Sequence, residues 1–509
     1  MSIRRGISFI GIAVCLAILG GWAGAGFGEE IDPFDRPWDD RSAFAGGLVA
    51  AERDVLDGLP GASVYRIRIE IADDYLSYRG ELRVLYTNRE ADDLSDVVFR
   101  LFPNAAGGTC TISEVTVDGD RTVPTFEGND TVMRVPLAHP LAPEESVEIG
   151  LAFDVALPTE FVGWGPFGYV ERILSLDTFY PMIPARTDAG WSIDEIPPRG
   201  DWTHLDASFY LVRVTAPSAL VLAASGVEID RRQASDVQTV TYALGPARDF
   251  FLAGSEDYET YSDTWEEVEI THFFFPGGES QARLATVYTE RMLETYSSII
   301  GPYPYTEFDI ATTFMDNGSA MEYPGIVAET IDIYDRSVVY FGVVPSKTML
   351  EVGIAHEGAH QWFYNVVGND QINEPWIDEA LAQYCSFLYY DERASYMGRN
   401  YKRDWWDRKW ERVDRADIPI GMPCRGYSAE EYGPIVYGRG PYFFDALAEA
   451  FGVPRLDEFL KAFYEDHKWS VATTESLRAS AERFCDCDLT ELFESWVYPT
   501  EEPPVDDGL

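Results

Sequence analysis

The period of the hydrophobic pattern changes once along this chain, and that change constrains the fold more than any other feature. From Val64 to about Thr260 apolar and polar residues alternate in short runs, as in Tyr65-Arg-Ile-Arg-Ile-Glu-Ile, Glu81-Leu-Arg-Val-Leu-Tyr and Val147 to Phe153, with turn signals at Asp118-Gly119 and Pro143-Glu-Glu. A period of two sends successive side chains to opposite faces, so this stretch reads as half-buried strands with one solvated face. Near Gln281 the period becomes helical. It stays so apart from an island at residues 306–330, where Phe308-Asp-Ile-Ala-Thr-Thr-Phe and Gly325-Ile-Val-Ala read as strands. The pattern predicts helices over 347–365 and 375–390, with shorter ones near 441–451, 455–466, 474–484 and 489–497. Pro375, just ahead of its apolar run, suits a first helical turn.

A chain of 509 residues exceeds one ordinary core, and 46% apolar residues are enough to fold it. The expected class is α+β multidomain. Residues 1–25 read as an export signal, 26–60 as a linker or leading arm, 61–262 as a β-rich domain, 263–498 as a mainly helical domain, and 499–509 as a polar tail. No internal repeat of 20 to 50 residues is visible. The export reading rests on Arg4 and Arg5, the apolar stretch Ile7 to Gly20, and the small residues Ala23-Gly24-Ala25. It implies a periplasmic or extracellular protein, tethered to the membrane if the segment is retained. The formal charge of −47, from 86 acidic and 39 basic side chains, repels nucleic acid and anionic lipid and excludes both as partners. Beyond the signal five cysteines remain, Cys110, Cys385, Cys424, Cys485 and Cys487. Cys485-Asp-Cys487 lacks metal-ligand spacing and suits a disulfide or inert thiols.

The chemistry concentrates at His356-Glu357-Gly358-Ala359-His360, inside a predicted helix. Residues four apart share a helix face, so both imidazoles can reach one ion, while Glu357 points beside it, as suits a base that activates water. Two of only six histidines fall at this spacing around a glutamate. A third ligand follows: Glu379 comes after eighteen intervening residues beyond His360, in Trp376-Ile-Asp-Glu379-Ala-Leu-Ala on the next predicted helix. Two histidines and one glutamate form a zinc set that leaves a fourth position open for water. One Zn2+ ion is expected.

These residues resemble the gluzincin metallopeptidases of the aminopeptidase N and leukotriene-A hydrolase family. His360-Gln-Trp362-Phe363-Tyr-Asn365 is similar to the family's continuation after its second histidine, and Trp376-Ile-Asp-Glu379-Ala to its stretch around the third ligand. Upstream, Gly318-Ser319-Ala320-Met321-Glu322-Tyr323 is similar to the family's exopeptidase motif, which assigns Glu322 to the substrate's α-amine and Ala320 and Met321 to substrate binding beside it. Tyr432-Gly-Pro-Ile-Val-Tyr437-Gly-Arg-Gly resembles the segment whose tyrosine donates to the tetrahedral intermediate, a role the resemblance carries to Tyr437. The implied fold is a saddle-like β domain followed by a thermolysin-like catalytic domain. Tyr323, Ser319 and Arg439 depart from the family's Asn, Gly and Lys. No stretch in the β domain matches the family's second amine contact, and the long C-terminal helical domain is absent from the pattern.

The implied activity is zinc-dependent release of N-terminal residues from peptide substrates, with Glu357 as base and Tyr437 as oxyanion donor. The alternatives are an endopeptidase or broad-specificity peptidase that ignores the free amine, and a catalytically inactive exported binding protein.

Overall fold

Strand Val64–Ile71 is the hinge of the first half of the fold: it pairs antiparallel with Ser77–Thr87, Ile67 facing Leu82, and parallel with Ser208–Pro217, Ile67 facing Val212. In Ser77–Thr87 the alternation is nearly complete, with Tyr78, Gly80, Leu82, Val84 and Tyr86 buried. Gly80 faces Phe153 of strand Ser146–Ala156, and a Cβ at Gly80 would lie 2.2 Å from the Phe153 ring, so only glycine fits between the two strands. These strands belong to an eight-stranded sheet, accompanied by sheets of three and four strands. The outer face is not bare, because the Arg66 guanidinium lies 3.8 Å from the Trp38 ring centroid.

The computed structural model describes residues 31–315, 320–340 and 343–498. The expected export signal at residues 1–25, the expected polar tail from 499, and Gly318-Ser319 lie outside the described residues. Met1–Arg36 form one unit and Pro37–Leu509 another. The described part of the first holds a single 3-10 turn, Pro33–Asp35, capped by Asp32 through Phe34 N at 3.0 Å. Residues 37–60 pack as short turns: Phe44 and Leu48 are buried, Val49 N donates to Pro304 O at 3.0 Å, and Glu52 pairs with Lys468 at 2.8 Å.

The second half begins with the hairpin of Glu259–Trp265 and Val268–Phe274. Strand Val268–Phe274 pairs parallel with Glu307–Thr313, and the helix Glu279–Ile299 makes the crossover. Glu307–Thr313 pairs parallel with Ile326–Thr330, and Ala320–Tyr323 closes the sheet antiparallel at its edge. This places Glu322 on an edge strand, turned back by Pro324-Gly325 with Gly325 at φ 74°.

Helices then dominate: Ser346–Ala359, Trp376–Arg393, Gly440–Phe451, Asp457–His467, Thr474–Cys485 and Thr490–Trp496. Their order matches the helical period of the sequence, so the chain is a β-sheet-rich half followed by a helical half. Two details differ. The helix expected over 347–365 stops at Ala359, because side chains just beyond it take distant partners: Trp362 Nε1 donates to Gly301 O at 2.7 Å and Gln361 Nε2 to Tyr323 O at 2.9 Å. Residues 395–413, given no helix by periodicity, form successive helical turns that include a π-turn at Lys402–Asp407. One continuous apolar core runs through both halves. No helix among the described residues is long and apolar enough to cross a membrane. Cys485 and Cys487 are disulfide-bonded, and Cys110, Cys385 and Cys424 are buried thiols.

Candidate metal centre

Helix Ser346–Ala359 carries His356 and Glu357, and His360 caps its C-terminal end. Gly358, between the histidines, is set by packing: a Cβ there would meet Met292 Cε at 2.6 Å, so glycine lets the crossover helix approach. Tyr296 of that helix donates to Ala355 O at 2.6 Å and fixes the depth of the approach. Glu379 comes from the first turn of Trp376–Arg393, where a carboxylate also favours the helix dipole.

Three donor atoms converge. Glu379 Oε2 lies 3.1 Å from His356 Nε2 and 3.6 Å from His360 Nε2. Two ligands each roughly 2.0–2.1 Å from one ion lie about 3.3–3.4 Å apart in a tetrahedral site, so the spacing fits zinc. The tautomer of His360 fits too. Its Nδ1 lies 3.0 Å from Phe363 O, a carbonyl that can only accept, so Nδ1 carries the proton and Nε2 offers its lone pair. That Nε2 is buried without a hydrogen-bond partner, and a metal is the partner its chemistry suits. His356, Glu357 and His360 also place one ligand atom each within 4.8 Å of one another.

The surrounding electrostatics are strongly acidic. Burial opposes ionisation of Glu379, but hydrogen bonds and charge from His356 and His360 outweigh it and hold its carboxyl below the usual range. Burial, with Glu322 behind it, pushes Glu357 well above that range, as suits a group that must hold a proton in mid-reaction. Tyr437 donates to Glu379 Oε1, and burial together with Glu379 keeps its phenol protonated.

Glu322 is buried against Gln371, whose Nε2 lies 3.4 Å from Glu322 Oε1 and 3.1 Å from Asp378 Oδ2. Gln371 is oriented in turn by Thr203 Oγ1, 2.6 Å from its Oε1. Behind Glu322 lies a small cavity of about 30 Å³ lined in part by Asp177, Asp201 and Asp249. Burial, then Asp249, raises Asp177 to about 8, and burial raises Asp249 to about 7. Asp201, half-buried near Glu322 and Glu379, is raised well above its usual range by desolvation first and by those carboxylates second. It accepts from Trp164 Nε1 at 3.1 Å.

All of the singled-out residues thus meet in one place. His356, Glu357, Glu379, Ala320, Met321, Glu322 and Tyr437 line a cleft of about 630 Å³, and His360 lies at its floor beside Glu379. Sequence reasoning missed Asp201, Gln371 and Lys409, which come from unrelated parts of the chain and carry no spacing signal. The departures from the family pattern have packing reasons. The Tyr323 ring stacks on Phe251 with centroids 4.0 Å apart, and Arg439 is buried, donating to Trp496 O at 2.9 Å and pairing with Asp417. Arg439 therefore ties the Tyr437 segment to the last helix.

Residues 285–496 match the Peptidase family M1 domain. Aminopeptidase M1 of Arabidopsis thaliana is 23% identical over 316 residues, 59% of this chain and 35% of that protein. Endoplasmic reticulum aminopeptidase 1 of Homo sapiens is 24% identical over 242 residues, 46% of this chain and 25% of that protein. The chain thus spans about a third or less of the length of these curated relatives. Among solved structures, the M1 zinc metallopeptidase from Deinococcus radiodurans superposes with a TM-score of 0.66 at 19% identity, covering 88% of this chain and 96% of that one. A mutant of that metallopeptidase bound to a Tyr-Ser-Ala substrate gives 0.63 at 18% identity, with 88% and 97% covered.

Proposed function

With residues 285–496 a Peptidase family M1 domain, we propose that this chain is a zinc-dependent metallopeptidase, and specifically an aminopeptidase that releases N-terminal residues from peptides. The observation that carries the reading is the convergence of His356 Nε2, His360 Nε2 and Glu379 Oε2 at 3.1 and 3.6 Å, with Glu357 beside them on the same helix. Zinc, when bound by these three groups, supplies Lewis acidity that polarises a carbonyl and acidifies water.

The chain's own residues do the rest. Glu357 takes the proton of the attacking water and delivers it to the departing amine, which its raised affinity for a proton favours. Tyr437, whose hydroxyl rests on Glu379 Oε1, turns to donate a hydrogen bond to the oxygen that gains charge. Glu322 receives the substrate's α-ammonium. Burial raises the proton affinity of Asp177, Asp201 and Asp249 around it, so an arriving α-ammonium draws negative charge onto carboxyls that a neutral, acylated terminus leaves protonated. The Tyr-Ser-Ala-bound Deinococcus metallopeptidase mutant supports peptides as the substrate class. The basic start, apolar stretch and small residues of positions 1–25 support a periplasmic or extracellular site of action.

Aminoacyl-4-nitroanilides and their N-acetylated counterparts test the proposal in zinc-loaded protein with a chelator control. Chelator-sensitive cleavage of the free-amine forms alone is the expected result. Glu322→Ala should then raise KM for them by about ten- to a hundredfold, the worth of a charge-assisted hydrogen bond. Equal cleavage of both forms overturns the aminopeptidase reading in favour of a broad-specificity or endopeptidase one. Inactivity on every substrate overturns the peptidase reading itself.

A further inference from the structure

We infer that Lys409 is a carboxylate anchor on the leaving-group side of the cleft, so that the chain favours short peptides presenting a carboxylate just beyond the cut bond. The inference rests on the peptidase reading above and deepens it by naming a substrate class.

Lys409 sits in the turn Arg408–Trp410, directly after the π-turn Lys402–Asp407. Its backbone is held by the Tyr437 segment, since a Cβ at Gly438 would come 3.0 Å from Lys409 Cβ. Among the described residues lining the cleft, the lysine and arginine cations are Lys409 and Arg199. Arg199 Nη1 already donates to Tyr427 O at 2.7 Å. The Lys409 ammonium makes no hydrogen bond or ion pair among the described residues and lies 4.7 Å from the centroid of the Tyr437 ring. A partly desolvated ammonium with only an aromatic face beneath it gains most from an anion arriving in the cleft.

The cleft lining brings a carboxyl cluster at Glu322 and the Lys409 ammonium to one pocket. Glu322 acts on His360 and is backed by Asp177, Asp201 and Asp249, whereas Lys409 acts on His356 and faces Glu357 and Glu379. Both histidines are on one helix face, so a peptide whose carbonyl reaches them has Glu322 and Lys409 among its neighbours in the cleft. An α-ammonium held at Glu322 directs the chain past the metal ligands and brings the leaving group to Lys409. The acids facing Lys409 are committed: Glu379 Oε2 to His356, its Oε1 to Tyr437, and Glu357 to the reaction. A cleft of about 630 Å³ suits two or three residues rather than a folded chain. Two groups present the required carboxylate, a peptide's own C-terminus and an acidic side chain in the first leaving residue.

The test compares Ala-Ala, Ala-Ala-NH2 and Ala-Glu-NH2 on the zinc-loaded full chain, as wild type, Lys409→Met and Lys409→Arg. Wild type should favour Ala-Ala over Ala-Ala-NH2 by about ten- to a hundredfold in kcat/KM, carried by KM, if the anchor takes the C-terminus. A matching preference for Ala-Glu-NH2 over Ala-Ala-NH2 assigns it to the acidic side chain. Either preference should collapse to near one in Lys409→Met and largely survive in Lys409→Arg. An active wild type that treats all three alike overturns this inference alone. So does a preference that Lys409→Met leaves in place, or a Lys409→Met variant that loses kcat equally on all three, which would confine the lysine to Tyr437. A wild type inactive on all peptides overturns the peptidase reading and this inference with it.

Discussion

At His360 the hydrogen bond made by one ring nitrogen decides what the other can do. Donation from Nδ1 to Phe363 O leaves Nε2 as a lone-pair donor, 3.6 Å from Glu379 Oε2. Glu357 is one residue beyond the first ligand and so is aimed beside the point that Glu379 shares with the two histidines, close enough to move a proton there. Replacing Glu357 with Gln should lower kcat by about a hundred- to ten-thousandfold while zinc stoichiometry is unchanged. Near wild-type turnover in the zinc-loaded variant would defeat the assignment. Tyr437→Phe removes one oxyanion donor and should lower kcat by about a hundred- to a thousandfold with KM little moved. A change confined to KM would show that Tyr437 only shapes the pocket.

Between elements, the turn after the histidine helix does more than end it. Gln361 accepts from Gly325 N and donates to Tyr323 O, both at 2.9 Å. These two bonds lock the hairpin that carries Glu322 to the helix that carries the metal ligands. Gln361→Ala leaves a buried N–H and a buried carbonyl unsatisfied, at about 1–3 kcal/mol each. It should lower Tm and raise KM for free-amine substrates with zinc affinity retained. Unchanged KM would separate the hairpin's position from Glu322's role.

For the molecule as a whole, Arg248 is a single buried tie between distant regions. Its guanidinium donates to Leu205 O and Asn365 O at 3.0 Å, Val366 O at 3.1 Å and Ser470 O at 2.6 Å. Arg248→Met takes a donor from four carbonyls, of which Val366 O keeps Trp469 N and Ser470 O keeps Gly368 N, and should cost about 2–5 kcal/mol, read as a large drop in the denaturant midpoint. A shift under about 1 kcal/mol would show that water replaces the guanidinium. Acidity leaves its own signature. Burial, with Glu269 and Glu228 behind it, pushes Glu307 up to about 7, and the nearby Arg231 is already engaged by Glu228. Between about pH 5 and 7 the folded chain therefore keeps a proton that the unfolded chain releases, so stability falls as pH rises through this window. Glu307→Gln should remove that fall, its Tm gaining on wild type from pH 5 to 8. A constant gap would place the strain elsewhere.

The succession of strands and then helices was legible because periodicity belongs to neighbouring residues that share one backbone geometry. His356 and His360 were legible for the same reason, and Glu379 because it opens the next apolar run. Where the histidine helix stops was not legible, since Gln361 and Trp362 abandon it for partners on Tyr323 and Gly301. Nor was the company kept by Glu322. Asp201 comes from a loop of the β-rich half, Gln371 from the turn between the two ligand-bearing helices, and Lys409 from a helical stretch that periodicity left blank. By itself the sequence determined the order of elements and the metal-ligand spacing, both set by local backbone repeat. Only the tertiary structure decided which acids and which lysine line the cleft, because that depends on which distant segments the shared core presses together.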